Sequence, residues 1–180
     1  VRSGDRHTWL HVYERHGVRP SLFDVACDLD VIDERWPFDP ARVDTSVRHG
    51  GAASWRIDEH QRGGPELRIE VEGGLERGGR LVIEAWARME QEHPGDALYV
   101  EVQRDGVRLW GTAMHIREQA TGTGRWFPML MAVEPPLDLR TGDLIRVFVW
   151  GGDHGPIHLD DMRARLFARE DLQWERSRIR

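Results

Sequence analysis

The 180-residue sequence contains no lysine and no asparagine, and it has a single cysteine. Without asparagine there is no N-glycosylation acceptor, and Cys27 has no partner for an internal disulfide, so its apolar surroundings predict a small buried side chain. No apolar run approaches the roughly 18 residues of a membrane-spanning helix, and no signal-peptide pattern is visible at the start. Serine is scarce and no Gly-x-Ser-x-Gly motif occurs, so the sequence offers no candidate for a catalytic serine nucleophile.

The charge balance excludes one class of partner. All 25 cationic residues are arginine, 31 residues are acidic, and the net charge is −6. An acidic chain without a basic stripe is not built to bind nucleic acid as its main partner. Hydrophobic residues make up 39% of the chain and charged residues 31%, which predicts one globular domain with a real core.

Short alternating apolar runs, separated by Gly, Pro and Asp, follow one another through most of the chain. This pattern is typical of an all-β protein and predicts an antiparallel β-sandwich over residues 21–168. A helical spacing predicts a short helical lead-in or linker at residues 1–20, and residues 169–180 form a charged C-terminal tail. The predicted strands are 22–32, 42–48, 52–58, 66–72, 80–89, 97–104, 107–116, 125–133, 144–150 and 157–167.

The dipeptide Asp105-Gly106 favours a two-residue hairpin turn, which sets the register of the strands on either side. A regular ladder would place Glu101 opposite Trp110 and Tyr99 opposite Thr112. Leu109 and Ala113 would then belong to the core face, with Leu98, Val100 and Val102, and the opposite face would be neither core nor ordinary solvated surface.

The strands at 80–89 and 144–150 divide in the same way, and if the three regions share one sheet, their outer faces combine. Aromatic rings beside Glu, Gln and Arg suit a sugar. The rings pack against the C–H groups of the sugar, and the carboxylate, amide and guanidinium groups form hydrogen bonds with its hydroxyls. The alternative is that loops or a neighbouring domain cover this face. The predicted ligand-binding residues are Trp86, Tyr99, Glu101, Gln103, Trp110, Arg146 and Trp150.

Four short motifs resemble the jelly-roll carbohydrate-binding modules and the wider galactose-binding-like group. They are the turn at 47–57 with His49-Gly50, the strand at 81–88, the Trp at 125–127 and the strand at 159–162 with Asp160-Asp161. Gly51 departs from the pattern, since serine is usual there. The resemblance covers residues 22–167 and implies a jelly-roll sandwich.

The same resemblance implies a function, a partner and a cofactor. It implies a non-catalytic accessory domain that binds a polysaccharide or oligosaccharide, in an extracellular, periplasmic or cell-surface protein. The alternative is a structural or interaction domain of a larger surface or envelope protein, with the aromatic face buried against an adjacent domain. A structural calcium ion would be held by Asp28 or Asp30 from the first strand and by Asp160 or Asp161 from the last. Otherwise these acids cap turns or pair with arginines such as Arg163 or Arg165.

Two enzymatic interpretations compete with a binding module. Glu84 and Glu101 on neighbouring strands would form the carboxylate pair of a sandwich-fold glycoside hydrolase. His154 and His158 beside Asp160 suggest a metal site, but the Gly-Pro between them excludes a helical pair and favours exposed turn histidines. The expectation is a protein that is not an enzyme.

Overall fold

The computed structural model describes residues 21–27, 29, 36, 39–151 and 155–169. They form ten strands and three single-turn 3-10 helices at Pro40–Arg42, Leu75–Arg77 and Ile116–Glu118. The predicted lead-in at 1–20 and the tail from 170 onward lie outside the described residues, so the predicted domain limits stay predictions. The strands are β1 (Phe23–Cys27), β2 (Val43–Asp44), β3 (Ser54–Ile57), β4 (Gly63–Glu70), β5 (Gly78–Met89), β6 (Ala97–Arg104), β7 (Val107–His115), β8 (Trp126–Val133), β9 (Leu144–Trp150) and β10 (Ile157–Ala168).

The ten strands form two antiparallel sheets, which confirms the predicted all-β sandwich. One sheet has the order β2-β3-β10-β5-β8, with β1 also paired to β10, and the other has the order β4-β9-β6-β7. The pairs β3–β10, β4–β9, β5–β8 and β6–β7 nest inside one another, as if one long hairpin had been rolled up. This nesting, split between two sheets, is the jelly roll that the resemblance implied.

The core lies between the sheets, and strand alternation fills it. In β5 every second residue, from Leu81 to Met89, is buried, and the residues between them face outward. In β9 the inner positions Ile145, Val147 and Val149 are fully buried. Cys27 is also buried, as its apolar surroundings predicted. Each buried Leu, Ile, Val or Met side chain contributes about 1.5–3 kcal/mol when removed from water, so the inner alternation decides which face of each strand looks out.

The predicted register of the β6–β7 hairpin is correct only at its tip. Arg104 pairs with Val107, but a β-bulge follows, and Trp110 rather than Leu109 lies opposite Val102. One extra residue inverts the alternation beyond it, because side chains repeat with period two. Trp110 therefore packs against the core, whereas Leu109 is 47% exposed. The prediction that Trp110 belongs to the outer face, and Leu109 and Ala113 to the core, is wrong.

The predicted grouping of Trp86 with the other aromatics is also wrong. Trp86 lies on β5 in the six-stranded sheet, whereas Tyr99 and Trp150 lie on β6 and β9 in the four-stranded sheet. The outer sides of the two sheets are opposite surfaces of the sandwich. Alternation correctly indicated that Trp86, Tyr99 and Trp150 point outward, but it carries no information about which sheet a strand joins.

Candidate functional site

The outer face of the four-stranded sheet, called the outer face from here on, brings polar and aromatic side chains together in rows across the strands. In one row Tyr99 of β6 lies opposite Phe148 of β9, and in the next row Glu101 lies opposite Arg146. Glu66 of β4 continues the first row, since it pairs with Phe148. Directly opposed residues in a sheet lie within contact distance, so the side chains of one row can contact one another.

Tyr99 and Phe148 form a stacked pair, with ring centroids 5.3 Å apart and planes 10° from parallel. The guanidinium carbon of Arg146 lies 5.1 Å from the centre of the Phe148 ring. Phe148 thus covers one face of Tyr99, and the residue opposite Tyr99 on β7 is Ala113, which is small and exposed. Two rings fixed in this way present aromatic surface with little rotamer entropy left to lose on binding.

Arg146 lies between two carboxylates. Its Nε and Nη2 donate to the two oxygens of Glu66 at 2.8 and 2.9 Å, and its Nη1 lies 3.5 Å from Glu101 Oε2. The hydrogen bond from Arg146, together with the bond from Arg68, lowers the pKa of Glu66 against the opposing effect of burial. The Glu66 carboxylate also raises the pKa of Arg146. Glu66 and Arg146 therefore both stay ionised at neutral pH, and their bidentate contact fixes the position of each.

A second arginine reaches the same network from the edge strand. Arg108 of β7 approaches Glu101 to 3.3 Å, and the Gln103 amide lies 3.5 Å from the other Glu101 oxygen. Gly111, opposite Glu101, makes this approach possible, because a Cβ at that position would collide with the Arg108 guanidinium. Glu101 is nearly buried under these partners.

A cleft of about 380 Å³ opens at one end of the outer face. Trp150, 47% exposed, forms one wall beside Phe148, and Gly63 lies opposite Trp150 on β4. Arg42 lines the cleft and donates to the carbonyl oxygen of Gly63, which fastens the bulged start of β4. The cleft thus joins an exposed indole to the charged rows.

The structure places five of the seven predicted ligand-binding residues on this surface and removes two. Trp110 turns inward and Trp86 lies on the other sheet. Of the hairpin residues predicted to bind a glycan, only Tyr99, Glu101 and Gln103 therefore lie on the outer face. Sequence reasoning left out Glu66, although alternation along 66–70 placed its polar residues on one side. It also gave no role to Phe148, whose stacking partner depends on the pairing of β6 with β9. The five retained residues are Tyr99, Glu101, Gln103, Arg146 and Trp150.

The opposite surface carries a separate aromatic group. His49 stacks on Trp86 at 3.9 Å between ring centroids and meets Trp126 edge-on at 5.7 Å. The His49 Nδ1 lies 2.9 Å from Asp161 Oδ2. Asp161 has a positive φ of 49° and belongs to a bulge in β10, and this bulge aims its carboxylate at the turn.

Asp160 accepts hydrogen bonds from three main-chain N–H groups, two of which belong to that turn. Its Oδ2 accepts from His49 at 2.9 Å and Gly50 at 3.2 Å, and its Oδ1 accepts from Asp161 at 2.9 Å. β3 pairs with β10 up to Leu159 and β1 pairs with it from Met162, so Asp160 lies where one partner strand gives way to the other. Burial raises the pKa of Asp160, although these N–H donors oppose that rise.

The described surroundings of Asp160 present N–H donors to its carboxylate. Calcium takes six to eight oxygen ligands, whereas the His49-Gly50 turn directs nitrogens at this carboxylate. Within the described ranges, no three His, Cys, Asp or Glu side chains are grouped to hold a metal ion. Asp28 and Asp30 lie outside the described residues, so the calcium site as a whole stays a prediction.

The described residues of the two enzymatic interpretations are Glu84, Glu101, His158 and Asp160. Glu84 lies on the six-stranded sheet, 2.7 Å from Arg165, so it does not face Glu101 as predicted. His158 is buried rather than exposed in a turn, with its Nε2 3.2 Å from Asp44 Oδ2, and burial lowers its pKa despite that contact. His154 lies outside the described residues, so the predicted histidine site stays a prediction. The predicted Glu84–Glu101 pair is not assembled.

No protein-family model matches the chain, and no curated protein sequence matches it either. Among solved structures, the chain is similar to the CBM22-2 xylan-binding domain of Xyn10C from Paenibacillus barcinonensis, at 16% identity and a TM-score of 0.49, over 81% of this chain and 99% of that one. It is similar to the C-terminal family 22 carbohydrate-binding module of Clostridium thermocellum Xyn10B, at 10% identity and a TM-score of 0.48, over 81% and 94%.

A third similar structure is the enzymatically active domain of tailspike protein 4 from bacteriophage CBA120, at 10% identity and a TM-score of 0.48, over 69% of this chain and 17% of that one. Carbohydrate-binding modules thus occur among the similar structures, as the sequence resemblance predicted. The nested strand order described above is what establishes the fold. In the described part of the chain, no helix has both the length and the apolar character needed to cross a membrane.

Proposed function

We propose that this domain is a non-catalytic carbohydrate-binding module that holds a glycan chain on the outer face. The observation that carries the proposal is the fixed Tyr99–Phe148 ring pair beside the Glu66–Arg146–Glu101 network. The rings supply apolar contact for the C–H patches of a sugar, and the ionised forks bind its hydroxyls. Trp150 and the cleft extend this surface so that more than one sugar unit can be held.

The charge on the outer face favours a neutral ligand. Its described centre carries three carboxylates and three guanidiniums, and the network binds most of them to one another. A polyanion needs an excess of unpaired positive charge, which this arrangement does not supply. A polyhydroxylated neutral chain needs donors and acceptors in equal measure. The residues are Glu66, Glu70 and Glu101 with Arg68, Arg108 and Arg146.

The same network makes a glycosidase a poor interpretation. A general acid must hold a proton near neutral pH, which requires a raised pKa. The pKa of Glu66 is lowered instead, and Arg146 occupies the space between Glu66 and Glu101. The two carboxylates thus hold an arginine where a catalytic pair would flank a substrate bond. A role outside the cell or at its surface goes with the proposal.

Affinity electrophoresis through gels that contain single soluble polysaccharides tests the proposal. We expect retardation by at least one neutral polysaccharide. Tyr99→Ala and Trp150→Ala should each weaken it, because losing one aromatic contact costs about 1 kcal/mol, or about fivefold in affinity. The matched control is Trp126→Ala, which removes an indole from the opposite sheet and should leave the retardation unchanged.

An interaction domain whose outer face is covered by a neighbouring domain remains the second candidate. Trp110 cannot distinguish the two, because it packs against the core in either case. The solvent exposure of Trp150 can distinguish them, since this side chain is 47% exposed in this chain and a neighbouring domain on the outer face would cover it. No retardation by any polysaccharide, or retardation that survives the double variant Tyr99→Ala/Trp150→Ala, would contradict glycan binding on this face.

A further inference from the structure

The charge balance at the cleft differs from the balance at the centre of the outer face. The described lining of the cleft contains three guanidiniums but only two carboxylates. Glu70, a further outward-facing acid on β4, lies opposite Leu144 and outside this lining. The cleft therefore has a surplus of one positive charge. The charged lining residues are Arg42, Arg68, Arg146, Asp39 and Glu66.

Glu66 is shared by two guanidiniums. Arg68 Nε donates to Glu66 Oε1 at 2.7 Å, and Arg146 binds both oxygens of the same carboxylate at 2.8 and 2.9 Å. Glu101 also lies near Arg146, but Arg108 approaches it as well, so Glu101 adds no spare negative charge. Within the described part of the chain Arg68 forms no other hydrogen bond, and its side chain is 61% exposed. Its two terminal nitrogens therefore remain available as donors to a ligand.

Arg42 brings another guanidinium to the same cleft, from the short 3-10 helix before β2. Its Nε binds Asp39 at 3.2 Å and its Nη1 donates to the carbonyl oxygen of Gly63, while none of the described residues accepts from its Nη2. A Cβ built at Gly63 would lie 3.6 Å from Arg42 Nη1 and 3.9 Å from Trp150 Cζ3. A ligand atom at that position would thus touch a guanidinium and an indole together.

The Trp150 indole has room for a sugar ring beside it. Its neighbours across the sheet are Gly63 on β4 and Ala97 on β6, and neither has a side chain large enough to cover the indole. The indole is 47% exposed. Because Trp150, Arg42 and Arg68 line one cleft of about 380 Å³, a sugar ring that packs on the indole holds its exocyclic group near the guanidiniums.

We propose that the cleft binds a sugar unit that carries a carboxylate, namely a uronic acid borne as a substituent on an otherwise neutral chain. This inference rests on the proposed glycan binding and names the unit that the cleft selects. A surplus of one positive charge matches one carboxylate, which a guanidinium binds through two parallel hydrogen bonds. The surplus is too small for a polyuronate, in which every unit is charged. The centre of the outer face, where the charges balance, holds the neutral main chain.

Titration with monosaccharides, followed through the indole N–H resonances in NMR spectra, tests the cleft without a polysaccharide. The probes are the methyl glycosides of glucuronic and galacturonic acid, each compared with its neutral parent, methyl glucoside or methyl galactoside. We expect at least one uronate to shift the Trp150 resonance, which is assigned by its absence in Trp150→Phe. That uronate should bind about three- to tenfold more tightly than its parent, as one exposed charge-assisted contact allows. Raising the salt concentration from about 0.05 to 0.5 M should reduce this ratio by screening.

Arg68→Gln should remove most of the preference for the uronate and change the affinity for the neutral parent little, because Glu66 keeps its bidentate partner Arg146. Arg68→Lys should retain part of the preference, since the charge stays but the planar fork is lost. Arg56→Gln is the matched control. Arg56 lies on β3 in the other sheet, is 50% exposed and has one comparable ion pair, with Asp58 at 3.0 Å, so its loss should leave every affinity unchanged.

Uronates that bind no more tightly than their neutral parents, or a preference that survives Arg68→Gln, would overturn this inference. So would shifts of other indole resonances while that of Trp150 stays in place, or glucose 6-sulfate that binds more tightly than both uronates. The affinity gels with neutral polysaccharides decide glycan binding on the outer face separately. A failure of the uronate preference is therefore distinguishable from a failure of the proposed function.

Discussion

Asp160 is the residue whose removal tests the structure most directly. Asp160→Ala leaves three main-chain donors, on His49, Gly50 and Asp161, without their acceptor. An unsatisfied buried donor costs about 1–3 kcal/mol, and the turn is close enough to water to place each loss at the low end. The variant should therefore lose about 3 kcal/mol of unfolding free energy. At about 2–4 °C per kcal/mol for this chain length, the melting temperature should fall by about 6–12 °C.

Asp160→Asn separates the hydrogen bonds from the charge. The amide oxygen can still accept from His49 and Gly50, but its NH₂ group meets the Asp161 N–H and loses that bond. Loss of one bond, about 1 kcal/mol, is offset because a buried charge disappears with it. Asparagine should thus lie within about 1 kcal/mol of wild type, far above alanine.

Urea unfolding at neutral pH, monitored by tryptophan fluorescence, gives the free energy of unfolding of wild type, Asp160→Ala and Asp160→Asn. Asp161→Asn is the matched control, since asparagine tolerates the positive φ at this position and the Asp161 side chain is 40% exposed. Alanine and asparagine variants of equal stability, or an alanine variant within about 1 kcal/mol of wild type, would refute the hydrogen-bond account. The same samples melted with a chelator check the calcium prediction: the N–H donors lead us to expect no change, and a fall reversed by calcium would contradict that.

Two further predictions concern packing and pH. Gly64→Ala should destabilise the fold by about 1–3 kcal/mol in urea unfolding, because its Cβ would lie 3.1 Å from the Cβ of Val149, whereas Gly63→Ala next to it meets only ordinary contacts and serves as the control. Burial opposes ionisation of Asp44, but hydrogen bonds from Ser46, and smaller ones from His158 and Val47, lower its pKa to about 2, so its contribution to stability is present above pH 4 and is lost as the pH falls towards 2. The pKa of His158 is lowered by burial, so stability should already begin to fall below about pH 6.5, and His158→Gln should remove that first step in a pH series of melting temperatures.

Local patterns predicted the strands well because the signals that define a strand are themselves local. The limits of β6 and β9 coincide with the prediction, and all ten predicted strands overlap an observed one. The Asp105-Gly106 turn was predicted from two residues, since few residues adopt the backbone it needs; both have positive φ, 51° and 76°. Alternation then identified the buried side of β5 and β9 without any knowledge of their neighbours.

The site was predicted less well because it depends on contacts between distant strands. Glu66 meets Arg146 only because β4 pairs with β9 across nearly 80 residues, and no spacing in the sequence encodes that pairing. Trp86 was grouped with Tyr99 for the same reason, since both point outward but from different sheets. The Asp160–Asp161 pair was recognised as needing a partner, and its partner proved to be a turn of main-chain N–H groups.

The bulge in β7 accounts for the largest error of the sequence-based prediction. A regular ladder would leave the Trp110 indole in water and put Leu109 inside. The bulge forfeits about one ladder hydrogen bond, at about 0.5–1.5 kcal/mol, and exchanges the burial of Leu109 for the partial burial of the larger Trp110. It also leaves Gly111 on the outer side, where Arg108 can cross it to Glu101. One inserted residue thus completes the charged network of the outer face.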